Sequence, residues 1–390
     1  MSIFDAVHER KNTKSVKWDQ LEAIFGTNDV LPMWVADMDF KAPEAVNEAL
    51  IERAKHGIYG YTVMDAGVKD SILNWLKDRH QWEINEEWLS FSPGVVTSLH
   101  IAVQAFTNPG DNIIIQTPVY TPFYNVIETH ERNVVKNPLV FKDNSYHIDF
   151  EDFEQKIVDN KVKAFISCSP HNPACRVWTK EELEKMAEIC LKHDVLIISD
   201  EIHADLVYPN VRHIPIASLS EEIANQTITC MSPTKTFNLA GLQASYIVTP
   251  DAEKKKAIDQ HLQKQSIDRL NTMGNIALEA AYTHGKEWLD ELISILEGHK
   301  NYIKEMLETN TKELKVVDTE GTYLLWVDCS GLEMDADELK KFMIEKAKVG
   351  LNAGAGYGEE GNQFMRINMA CPRATIEEGV KRIIDAVNSR

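Results

Sequence analysis

What most constrains this chain is an alternation. From Val68 to the 280s, the short apolar runs WLSFS, NIIIQT, KAFISCS, VLIISD, TITCMS and SYIVT recur, with helix-length amphipathic segments between several of them. VVTSLHIAVQAF and TKEELEKMAEICLKHD are two such segments, and the second opens with Thr179 as a predicted N-cap and glutamates in its first turn. Strands separated by helices predict an α/β fold with a mainly parallel sheet covered by helices. Ligands of such sheets sit beyond the carboxyl ends of the strands, so the residues after each run matter most.

Those strand ends read SPG (92–94), TPVY (117–120), SPHNP (169–173), SDEIH (199–203) and SPTK (232–235). SPG runs straight into a helix. The amides of Val95 and Val96 would then point outwards at a helix N-terminus, either as a phosphate site or as an ordinary strand–helix turn. Asp200 and Glu201 close the most hydrophobic run, where a carboxylate caps backbone amides or serves as a buried counter-ion to a nearby cation. Lys235 sits in a tight turn rather than on a charged helix face. Most lysines after a turn are solvated, but one whose stem is held there can lose its proton near neutral pH, and a neutral amine can attack a carbonyl carbon.

The flanks differ in character. Residues 1–40 are irregular and end in LPMWVADMDF, which either lines a site or fills a core; a helix is predicted from Pro43 to about Lys55. The loop HGIYGYT sets two tyrosines beside glycines, suited to surface packing, a ligand or a second subunit. Beyond about residue 285 come a long helix, Lys286 to about Thr309 and roughly 36 Å long, a strand in EGTYLLWVDC, a helix over 335–348, a strand in FMRINMA and a helix over 375–388. This predicts a smaller α+β unit. A chain of 390 residues exceeds the usual single-core size, and we expect a large domain over 45–285 with a small domain built from 1–44 and 286–390. NAGAGYGEEG (352–361) is glycine-rich, yet it follows no parallel βαβ strand and opens no helix, which argues against a dinucleotide loop. Arg366, inside an apolar strand, needs an anion: a buried Asp or Glu, or a ligand carboxylate.

Composition narrows the function classes. A net charge of −19 argues against nucleic acid and anionic membranes, both of which select a basic footprint. No window approaches a membrane span, and the charged N-terminal stretch lacks a signal-like apolar segment, so a cytoplasmic address is expected. The six cysteines are scattered without CxxC pairs and are predicted to be reduced thiols. Cys168, His171 and Cys175 cluster around a Pro-Asn-Pro turn without a second ligand pair, so no metal is expected.

The order SPG, TPVY, SPHNP, SDE, SPTK and RIN resembles the fold type I pyridoxal 5'-phosphate (PLP) enzymes of the class I and II aminotransferase superfamily, over essentially the whole chain. WVADMDF, YGYT, SPHNP followed by RVWT, SDEIHADLVY and SPTKTFNLAGLQ are similar to its cystathionine β-lyase branch, the PatB and MalY-type carbon–sulfur lyases. The resemblance implies PLP as cofactor, with Lys235 bonded to it and taking up the substrate's α-proton, and Asp200 paired to the ring nitrogen. It further implies Asn172 and His203 at the cofactor's phenolic oxygen, Tyr120 on the ring face, and Val95, Val96 and Ser232 at the phosphate. Arg366 would grip the α-carboxylate of a small amino-acid substrate. Tyr61 would reach the phosphate of a neighbouring subunit, implying a homodimer with shared sites. In place of a tyrosine and an arginine common in transaminases this chain has His203 and Gln243, as the lyase branch does. Cys175 stands where the family usually has glycine, a strained choice if the position demands positive φ. The expected activity is β-cleavage of L-cystathionine or a cysteine S-conjugate to a thiol, pyruvate and ammonia. Two other readings stay open, an aminotransferase of the same superfamily and a PLP-binding regulator acting through a protein partner. Lys235 and Tyr120 both remain candidates for proton donor to the thiolate.

Overall fold

The computed structural model describes residues 2–390. Among them, seven strands form the large sheet: β1 (Leu89–Ser92), β2 (Asn112–Thr117), β3 (Asn133–Pro138), β4 (Ala164–Cys168), β5 (Leu196–Asp200), β6 (Thr227–Met231) and β7 (Ser245–Val248), in the order β1-β7-β6-β5-β4-β2-β3. Strands β2 to β6 pair in parallel, while β7 runs antiparallel to both β6 and β1. Every residue of β4, β5 and β6 is buried, because helices cover both faces, and so each reads as a mainly apolar run without the polar alternation of a half-exposed strand. The edge strand β3 is absent from the predicted set. It is half exposed and carries Asn133, Lys136 and Asn137, which dilutes the apolar signal.

Register explains why the strand ends converge. Cys168, Asp200 and Cys230 are paired neighbours on β4, β5 and β6, so these strands finish nearly level and the polar turns that follow share one rim. The helix Val95–Phe106 leaves that rim directly after β1. The helix Lys180–Lys192 begins at Thr179 with a complete capping box to Glu182. Pro43 occupies the N-cap of the helix Glu44–His56 rather than its first turn.

Beyond the 25-residue helix Lys286–Asn310, four strands among the described residues make a second, antiparallel sheet: β8 (Lys315–Val316), β9 (Leu324–Asp328), β10 (Asn352–Ala353) and β11 (Phe364–Asn368), in the order β8-β9-β11-β10. The predicted helix over 335–348 is shorter, Ala336–Glu345, and is followed by Val349–Gly350, which pairs in parallel with Leu31–Pro32. That pairing carries the N-terminal segment towards the end of the large sheet. The glycine-rich stretch folds as two 3-10 turns, Gly354–Tyr357 and Glu359–Gly361, whose backbones pass in contact. It seats on the chain after β2, where Val119 donates its amide to the Tyr357 carbonyl (2.9 Å) and Tyr124 its hydroxyl to the same oxygen (3.2 Å). Among the described residues no helix is long and apolar enough to cross a membrane.

Candidate active site

A cavity of about 300 Å³ opens beyond the carboxyl ends of β4, β5 and β6, and Lys235, Asp200, Asn172, His203, Tyr120, Val95 and Val96 all line it. A larger cleft of about 740 Å³ lies elsewhere, between Trp75, His80, Tyr208 and Lys286, and holds none of the predicted site residues. Chemistry rather than size selects the smaller one.

Lys235 lies in the one-turn helix Pro233–Thr236, which Ser232 caps at its N-terminus. Its amine donates to the Ala36 carbonyl (2.6 Å). Burial, and then the nearby Arg366 charge, lower its pKa to about 8, against the smaller opposing pull of Asp37 and Asp200. A useful fraction of the amine is therefore neutral near physiological pH. Asp200 is buried at the end of β5, where one oxygen accepts the Ile202 amide (3.1 Å). No cation among the described residues forms an ion pair with it, and burial pushes its pKa up to about 7. Such a carboxylate is short of a positive partner. His203 is also buried; burial first, and then Lys235 and Arg366, push it down to about 3, which leaves a neutral ring whose Nδ1 has no partner among the described residues.

The other groups are arranged around these. No side chain caps the helix Val95–Phe106, so the first-turn amides at Val95, Val96 and Thr97 face the cavity unmet. Arg366 on β11 donates to Asn172 Oδ1 (3.0 Å), the Trp34 carbonyl (3.1 Å) and Asn352 Oδ1 (2.8 Å), and Tyr357 stacks on its guanidinium. Of the two readings of Arg366, the buried Asp or Glu is not found: no carboxylate among the described residues pairs with it.

Three predicted residues stand apart from the lining, of which Arg366 is bonded to the lining residue Asn172. Ser232 is buried beside it, with its hydroxyl bonded to Thr234 and the Ala244 carbonyl. Tyr61 is fully exposed, in a loop with Ile58, Tyr59 and Val63, which are exposed as well. Cys175 has φ of 58°, in the left-handed region, so the cysteine does bear the strain foreseen for it, about 1 kcal/mol. Its thiol is buried and donates to the Pro173 carbonyl (3.0 Å).

Sequence reasoning left open whether WVADMDF lines a site. It does: the carbonyls of Trp34 and Ala36 receive Arg366 and Lys235, and Ala36 also takes the Tyr323 hydroxyl (2.8 Å). Tyr323, Asn352 and Tyr357 were not singled out; only their nearness in sequence to the strand and loop around Arg366 could have suggested them. The groups that converge on this cavity are those that a phosphate-bearing aromatic aldehyde with a basic ring nitrogen would meet. Free amides suit the phosphate, the buried carboxylate suits the nitrogen, and the amine suits the aldehyde carbon.

Residues 28–383 match the family described as Aminotransferase class I and II. The cystathionine β-lyase PatB of Bacillus subtilis (strain 168) is 48% identical over 99% of this chain and 100% of its own length. The crystal structure of cystalysin from Treponema denticola, which contains a pyridoxal 5'-phosphate cofactor, superposes with a TM-score of 0.96 at 38% identity, covering 99% of this chain and 98% of that one. The PLP-bound C–S lyase from Staphylococcus hominis gives 0.92 at 32% identity, over 98% and 97% of the two chains.

Proposed function

Since the chain belongs to the aminotransferase class I and II family, we propose that it is a PLP-dependent carbon–sulfur β-lyase that cleaves L-cystathionine or related cysteine S-conjugates, consuming water and releasing a thiol, pyruvate and ammonia. The observation that carries the chemistry is the meeting, in one cavity, of an amine lowered to about 8 with a buried carboxylate that lacks a cation. Similarity to a cystathionine β-lyase along the full chain supports the sulfur substrate.

Bound PLP supplies an electron sink that acidifies the substrate's α-carbon and lets the bond from the β-carbon to sulfur break. Asp200 would hold a proton on the ring nitrogen by Coulomb attraction inside a dry site. The amides of Val95 and Val96 would receive the phosphate, with Ser232 shaping the turn behind it; Asn172, His203 and Tyr120 would fix the ring. Arg366 would orient the substrate through its α-carboxylate, and this sets the α-hydrogen towards Lys235 Nζ, the base that removes it. The Tyr120 phenol, raised by burial and by Asp200, keeps its proton and is a donor candidate for the departing sulfur beside Lys235.

We read the exposed Tyr61 loop as the contact with a second copy of the chain, giving a homodimer with shared sites. We further take the chain to divide into a large domain (45–285) and a small one (1–44 with 286–390), a division that would set Lys235 and Arg366 on opposite walls of a cleft. Six buried free thiols suit a reducing, cytoplasmic setting.

The test is direct. Purified protein incubated with cystathionine and no keto acid is expected to form pyruvate, ammonia and thiol in equal amounts. Turnover that appears only on adding a keto-acid acceptor would instead make the protein an aminotransferase. Lys235→Ala is expected to abolish the borohydride-reducible link between cofactor and protein.

A further inference from the structure

The motif SDEIHADLVY contains a third carboxylate, Asp205, to which no role has so far been given. It is buried, and its two oxygens collect three donors from two helices. Trp75 Nε1 (2.9 Å) and His80 Nε2 (2.8 Å), both from the helix Ala66–His80, meet Oδ1, and the Thr236 hydroxyl (2.7 Å) meets Oδ2. An ionised carboxylate only accepts, so the His80 proton is on Nε2. Burial opposes ionisation here, but the His80 bond and charge, with the Thr236 hydroxyl, more than offset it and hold the Asp205 pKa below the usual range.

Thr236 is the residue after Lys235. The helix that carries both is a single turn of four residues, Pro233–Thr236, too short to hold its shape unaided. Ser232 secures its start, and Asn238 just beyond it donates to the Met38 and Phe40 carbonyls. Between these two anchors, the side-chain bond of Thr236 to Asp205 is the one adjacent to Lys235, and it points away from the cavity towards the aromatic core around Trp75, Phe237 and Tyr282.

We propose that Asp205 is a positioning residue for Lys235: it ties the lysine's one-turn helix, through Thr236, to the rigid helix Ala66–His80, and so fixes the direction in which the ε-amine projects. The inference rests on Lys235 as the residue that bonds PLP. A misdirected base loses rate rather than affinity, because Arg366 and the amides that bind substrate and cofactor lie on other elements.

The experiment uses the holoenzyme with Thr236→Val, which removes the hydroxyl at nearly constant shape, Thr236→Ser, which restores it, and Asp205→Asn. Steady-state kcat and KM for cystathionine are measured, together with the visible circular dichroism of the bound cofactor. Thr236→Val and Asp205→Asn are expected to lower kcat by about 10²-fold, with KM within a factor of about two and an altered dichroic band; Thr236→Ser recovers most of both. A folded Thr236→Val protein with lowered thermal stability but unchanged kcat and dichroism would overturn the proposal, leaving Asp205 a purely structural group. Equal loss in the serine and valine variants would overturn it too. Failure of the premise would show differently, as a borohydride-reducible link between cofactor and protein that survives Lys235→Ala.

Discussion

A buried carboxylate without a cation carries a stability signature of its own. Asp200 has its folded pKa raised to about 7 from 3.8. Between those values the unfolded chain has released its proton while the folded chain still holds it, so folding stability falls as pH rises from about 4 to about 7. For the cofactor-free protein the full effect is about 4 kcal/mol. In urea unfolding, Asp200→Asn, which cannot titrate, is expected to escape this decline; parallel curves for the two proteins across the window would refute the assignment. Lys235 acts in the opposite direction at higher pH, regaining stability from about 8 to 10.5 as its proton leaves. Both penalties ease when a ligand with a protonated nitrogen and an aldehyde occupies the cavity. The residues behind these effects were legible in the sequence because strand ends of a parallel sheet are where ligand groups collect, and Lys235, Asp200, Asn172, His203 and Tyr120 follow four such ends. The Ala36 carbonyl was not legible, since a backbone oxygen leaves no mark in residue identity.

Among the elements, the loop 354–361 shows what a glycine-rich stretch that is not a dinucleotide loop can be for. Its glycines permit contact between two stretches of the loop's own backbone. A methyl on Gly354 would run into the Gly361 and Phe364 carbonyls and the edge of Trp326, whereas one on Gly356 would meet only the Thr121 hydroxyl oxygen, at 4.0 Å. Gly354→Ala is therefore expected to destabilise the protein by about 1–3 kcal/mol in denaturant titrations, and Gly356→Ala by far less. Equal effects would mean that the loop is not packed as described. The buried central strands and the capped helix at Thr179 were readable because both faces, or a full capping box, wrote their demands into the side chains. The edge strand β3 and the two-residue pairing of Leu31–Pro32 with Val349–Gly350 were not, being too exposed or too short to impose a period.

At the scale of the whole molecule, the exposed Ile58, Tyr59, Tyr61 and Val63 form an apolar loop for which a single chain offers no cover. Sedimentation of the protein is expected to give a dimer, and Tyr61→Arg to shift it towards monomer with weaker cofactor retention; a monomeric parent with full activity would contradict the shared site. The two sheets belong to different stretches of chain, and the segment 31–40 touches residues attached to each, lending its carbonyls to Arg366 on β11 and to Lys235 in the turn after β6. This has a consequence for how such a protein can vary. Two of that strap's contacts with the site are made by carbonyl oxygens, which a side-chain substitution leaves in the chain, so Trp34→Ala would not remove the oxygen that Arg366 meets. Spacing matters as well: a one-residue insertion or deletion in the strap would turn both carbonyls away from the site together.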